Sequence, residues 1–110
     1  MEVTIKIKLL SSNEAFRGRK FKTPKYAAYE KQLLLCLPAG KMPPPPYQIY
    51  FKFGLSNSLS DWDNPVKPLQ DILQKKYKFN DRDVMRGVVD KVKVNKGMEY
   101  FTVKIDTFNG

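Results

Sequence analysis

Ser60-Asp61-Trp62-Asp63-Asn64-Pro65-Val66-Lys67-Pro68-Leu69-Gln70-Asp71-Ile72-Leu73 is the stretch around which this chain is organised, and Phe79-Asn80-Asp81-Arg82-Asp83-Val84 continues it. Lys and Arg number 20 against 11 Asp and Glu, yet five of the 11 acids (Asp61, Asp63, Asp71, Asp81 and Asp83) fall here. An acidic spot in a basic chain needs a cause. Asn64-Pro65 carries the cap-then-proline signal of a helix start, with Val66, Leu69, Ile72 and Leu73 spaced for its buried side. Pro68 is tolerated there because first-turn N–H groups have no partner inside the helix. Lys67 and Asp71 lie four apart, one above the other on a different side. If Ser60–Asp63 closes a strand, Asp61 and Asp63 project together and Trp62 points the opposite way, as a packing residue.

Working outward, Tyr47, Ile49, Phe51 and Phe53 alternate with polar or smaller-contact positions and predict a strand with one buried face. Val3, Ile5, Ile7 and Leu9 predict the first strand in the same way. Between them, Ser11–Glu14 reads as a polar loop, and Thr23-Pro24 opens a helix whose stripe is Tyr26, Tyr29, Leu33, Cys36 and Leu37. Pro43–Pro46 reads as a stiff extended segment spanning from that helix to the central strand. After the second helix come a loop at Phe79–Asp83, a strand over Val84–Val94, a hairpin turn at Asn95-Lys96-Gly97 and a return strand with Phe101, Val103 and Ile105 on one face. The expected fold is α+β, a single small domain over residues 1–110 in the order β-α-β-α-β-β, with helices packed on a mixed sheet.

The net charge of +9 points to a polyanion partner, and no apolar run is long enough for a membrane span. Neither a secretory signal nor a disulfide is expected, with one cysteine and no histidine in the chain, so an intracellular compartment is the default. Cys36 reads as a small core residue. Without histidine, an enzyme would depend on carboxylates, lysine, tyrosine or serine, and hard-metal phosphoryl chemistry fits best. Phe16-Arg17-Gly18-Arg19-Lys20-Phe21-Lys22 is either a solvated loop or a phosphate-gripping arm in which aromatics stack on bases. Lys75 and Lys76 add a second basic patch.

Helix capping or dipole complementation, worth about 0.3–1 kcal/mol, accounts for Asp63 alone and leaves Asp61 and Asp81 unexplained. Carboxylates gathered in one place repel unless a cation is bound. If Asp81 converges on Asp61 and Asp63, the three would hold one or two Mg²⁺ beside a phosphate paired with Lys67.

Asp61-x-Asp63-Asn64-x-x-Lys67, Asp71 four residues on before an apolar pair, and Asp81 in a loop ahead of Val84 resemble the RusA family of phage-type Holliday-junction resolvases. Asn13 after the first strand, the Arg-rich loop, Thr23 before a Tyr/Ala-rich helix and a final basic hairpin are similar in order. The resemblance implies a Mg²⁺-dependent homodimeric endonuclease, with Mn²⁺ as a substitute, that nicks four-way DNA junctions symmetrically in the cytoplasm of a bacterial host. It gives Asp61, Asp63 and Asp81 to metal and catalysis and Lys67 to catalysis, with roles for Asn13 and Asp71 undefined. Family members often carry two adjacent acids in the last loop. Here the pair is Asn80-Asp81, so Asp81 is assigned by its distance to Val84 and Asp83 is held in reserve. Arg17, Arg19, Lys20, Lys22, Lys75 and Lys76 are the expected DNA contacts. The rival reading is a non-catalytic basic nucleic-acid-binding module whose aspartates cap and orient; a weaker one is a nuclease for flaps or RNA.

Overall fold

The computed structural model describes residues 1–18, 21–57 and 61–110. Along the chain come β1 (Glu2–Lys6), α1 (Ser12–Ala15), β2 (Phe16–Arg17), β3 (Phe21–Lys22), α2 (Pro24–Cys36), β4 (Tyr47–Leu55), α3 (Val66–Tyr77), a 3₁₀ turn at Asp81–Asp83, β5 (Val84–Lys93) and β6 (Tyr100–Thr107). This is the expected α+β domain, with a four-stranded mixed sheet in the order β1-β6-β4-β5 and a separate β2-β3 ribbon.

Alternation decides which face is buried. Tyr47, Ile49, Phe51 and Phe53 of β4 and Phe101, Val103 and Ile105 of β6 share one core with Tyr26, Tyr29 and Leu33 of α2 and Leu69, Ile72 and Leu73 of α3. Each such side chain taken from water contributes about 1.5–3 kcal/mol. Thr23 caps α2, its Oγ1 accepting from the Tyr26 N–H at 3.2 Å, while donating to the Glu14 carbonyl at 2.6 Å. The start of α2 is thereby tied to α1.

Several expectations are corrected. Ser11–Glu14 is not a loop: Ser11 and Glu14 form a capping box that starts the short helix α1. Cys36 is exposed, because it falls at the edge of the α2 stripe while Leu33 and Leu37 fill the core. Pro43–Pro46 does lead from α2 to β4, but the Pro45–Pro46 peptide is cis and the segment bends. It is fastened to the end of β6, with Thr107 Oγ1 donating to the Pro44 carbonyl at 2.7 Å.

The last two strands do not form a hairpin. The chain does turn at Asn95–Met98, where the Met98 N–H reaches the Asn95 carbonyl at 2.9 Å and Gly97 takes φ 92°, a left-handed conformation that glycine adopts without penalty. However, β4 lies between the strands, parallel to β5 and antiparallel to β6. Insertion of the most apolar strand at the centre pairs its backbone on both sides and leaves β5 as an edge.

Candidate active site

Strand β5 is exposed along most of its length, including Gly87. Between it and the start of α3 lies a cleft of about 440 Å³, lined by Trp62, Asp63, Asn64, Lys67 and Gln70 on one side and Val84, Gly87 and Val89 on the other, with Ile49 and Phe51 of β4. Of the acidic stretch, Asp63 and Lys67 therefore open on one space.

The backbone carrying Asp61 and Asp63 is a turn, not a strand end. The Asn64 N–H donates to the Asp61 carbonyl at 3.4 Å and the Val66 N–H to the Asp63 carbonyl at 3.0 Å. Trp62 and Asp63, adjacent in sequence, both line the cleft, which strand alternation would forbid. Trp62 is 58% exposed and so is not the packing residue expected. Helix α3 begins at Val66 with Pro65 as its cap and no side-chain cap bond. Asn64 instead anchors the turn to α1, its carbonyl accepting from the Ser12 N–H at 3.0 Å and from Ser12 Oγ at 3.2 Å. The unforeseen helix α1 thus holds the turn, with Asn13 exposed upon it.

Lys67 Nζ lies 3.3 Å from Asp71 Oδ2, one helical turn away, and 5.5 Å from the centre of the Phe16 ring. Phe16 packs on Tyr26 at 5.4 Å, and Lys22 Nζ sits 5.1 Å from the Tyr26 ring centre. The base of the basic arm is therefore stacked beside Lys67. Burial first, and then the Glu30 and Asp71 carboxylates, push the Tyr26 phenol above its ordinary range. On the arm, Arg17 is exposed and Phe21 is 72% exposed; Arg19 and Lys20 lie outside the described residues.

Three of the expected DNA contacts are engaged within the fold. Glu30 receives Lys75 at 3.1 Å and Lys22 at 3.8 Å, and Lys76 Nζ donates to the Leu34 carbonyl at 3.4 Å. These contacts brace the arm and α3 against α2. Lys91 and Lys93, not singled out from the sequence, are exposed on the same face of β5 as Gly87 and Val89. Alternation of Val88 and Val92 with Val89, Lys91 and Lys93 suggests a valine face turned inward, but the register with Phe51, Phe53 and Leu55 puts the lysines on the side of the cleft and leaves Val88 exposed.

Asp81 and Asp83 stand on the 3₁₀ turn, capped by Asn80 Oδ1, which accepts from the Arg82 N–H at 3.0 Å. Asp83 directly precedes Val84, a cleft residue. Among the described residues no three carboxylate or cysteine side chains are grouped so as to hold a metal ion. Asp61, Asp63 and Asp81 are all exposed, where mutual repulsion costs little. Their oxygens suit a hard cation, but the three are not grouped to hold one.

Glu99 is another residue that sequence reasoning passed over. It is 8% exposed, accepting from Ser56 Oγ at 2.7 Å and from the Gly97 N–H at 2.8 Å, and these bonds hold its carboxyl below the usual range. It fastens the end of β4 just before the acidic stretch. No protein-family model matches the chain and no curated protein matches its sequence. Among the described residues no helix is long and apolar enough to cross a membrane.

Proposed function

We propose that the chain is a Mg²⁺-dependent, structure-selective DNA endonuclease that resolves four-way junctions by paired, symmetric nicks. The observation that carries this reading is the opening of Asp63 and Lys67 on one cleft, beside the base of a basic arm. Net charge of +9 draws the polyanion. Lys67 then binds the phosphate to be cut and offsets charge that develops on it, while Asp71 orients the ammonium. Asp61, Asp63 and Asp81 are the residues that would hold the metal, with Asp83 in reserve, although they are not grouped around one point in the structure; Mn²⁺ is the expected substitute. Mg²⁺ held there would supply Lewis acidity and an activated water. A homodimer matches the two-fold symmetry of the junction and the two cuts required. The resemblance of the Asp61–Lys67 motif to RusA-type resolvases supports the same substrate, and with it a bacterial cytoplasm as the setting.

A second reading, a non-catalytic nucleic-acid-binding module, is favoured by a specific pair of observations. Lys67 already has a carboxylate partner, and no three potential metal ligands are grouped among the described residues. A synthetic four-way junction incubated with and without Mg²⁺ separates the two. Paired nicks that disappear in Asp63→Asn while binding persists support the nuclease. Binding with no Mg²⁺-dependent nicking selects the module.

A further inference from the structure

Trp62 is held where a ring of its size gains little from the core. It is 58% exposed, yet its backbone is fixed by the turn bonds of Asp61 and Asp63 and by the clasp of Ser12 on Asn64. We infer that Trp62 is a base-stacking residue, which receives a nucleobase unstacked at the branch while Lys67 in the same cleft receives the neighbouring phosphate.

This inference rests on the proposed action on branched DNA. Three features of the cleft suit a base. Its volume of about 440 Å³ has room for a single nucleotide unit, being in the ~300–1,000 Å³ range of small-ligand clefts. Ile49, Phe51 and Val89 give it an apolar floor beside the polar groups of α3, and opposite α3 the missing side chain of Gly87 leaves open space, with nothing within 4 Å of where a Cβ would stand. Charge then assigns the parts of the nucleotide. A neutral base stacks on the exposed indole. The ammonium of Lys67 attracts the phosphate. Duplex DNA keeps its bases stacked on one another; a branch point offers bases that are cheaper to unstack. Trp62 thereby favours branched over continuous DNA.

Trp62 is the one tryptophan of the chain, so its fluorescence reports on this site alone. Asp63→Asn protein, which should bind without cutting, is titrated with a four-way junction and with a continuous duplex of equal length, binding being followed independently through the anisotropy of labelled DNA. The junction should quench the emission and the duplex should leave it nearly unchanged. Trp62→Ala should nick the junction about 5- to 100-fold more slowly than wild type, and Trp62→Phe should recover most of that loss. Circular dichroism of both variants should match wild type, since the ring is exposed. Junction binding with unchanged emission, or full activity in Trp62→Ala, overturns the inference and leaves the nuclease reading standing. Emission that changes with protein concentration in the absence of DNA also overturns it, by assigning Trp62 to a protein contact. Wild-type protein that neither binds nor nicks the junction refutes the nuclease reading and this inference with it.

Discussion

The two ends of α3 each present a lysine to a carboxylate at nearly the same distance, and they differ in what surrounds the pair. At the C-terminal end, Lys75 meets Glu30 of α2 at 3.1 Å, and Glu30 keeps only 18% of its side chain exposed while also receiving Lys22. At the N-terminal end, Lys67 is 65% exposed and meets Asp71 on its own helix at 3.3 Å. The first pair joins one helix to another. The second ion pair lies within one helix, with Lys67 also beside the Phe16 ring, and its lysine faces a cleft that also holds Asp63. An ion pair that ties elements is a structural device, whereas one that merely steadies a lysine at the edge of a cleft leaves that lysine available to a ligand.

Substitutions at the two ends should therefore separate activity from stability. The largest effect is expected for Asp63→Asn, with nicking of a four-way junction reduced on the order of a hundredfold or more and DNA affinity retained; single-turnover cleavage beside a gel-shift measurement checks it. Lys67→Ala should lower nicking roughly ten- to hundredfold with a much smaller loss of binding. An unchanged rate would remove Lys67 from the mechanism and erase the contrast with Lys75. Lys75→Ala should nick at the wild-type rate and lose about 0.5–1 kcal/mol of stability by denaturant unfolding.

How far this contrast is legible in the sequence depends on the range of the forces involved. Thr23-Pro24 announces α2, and the alternation of Tyr47 to Phe53 and of Phe101 to Ile105 announces the buried face, because capping and periodicity are local properties. The stacking of Lys67 and Asp71 is legible for the same reason. The capping box of Ser11 and Glu14 is equally local, and its signal is present in the sequence, although four polar residues in a row also suit a loop. Strand neighbours are not local: a tight turn at Gly97 reverses the chain without specifying that β5 and β6 pair, and β4 takes the place between them. The turn at Asp61–Pro65 likewise depends on Ser12, far away in sequence, so alternation alone does not give the orientations of Trp62 and Asp63.

A smaller effect is expected from acid, at a site apart from either lysine. The Glu99 carboxyl titrates below its ordinary value of 4.5 because Ser56 and the backbone near Gly97 donate to it. Its contribution to stability is complete above that ordinary value and is lost as pH falls through the lowered one. Melting temperatures followed from pH 7 to 3 should therefore drop more steeply for wild type than for Glu99→Gln, and parallel curves would deny Glu99 that role. The smallest effect should come from Asp71→Asn, which frees Lys67 and should alter nicking by only about two- to threefold, within the small worth of an exposed ion pair.

The most direct test of the central claim compares wild type, Asp63→Asn and Lys75→Ala on one labelled four-way junction across a Mg²⁺ titration. Wild type and Lys75→Ala should give the same Mg²⁺-dependent paired nicks and Asp63→Asn none, with all three binding the junction. Bound junction left intact by wild type at every Mg²⁺ concentration would contradict the claim.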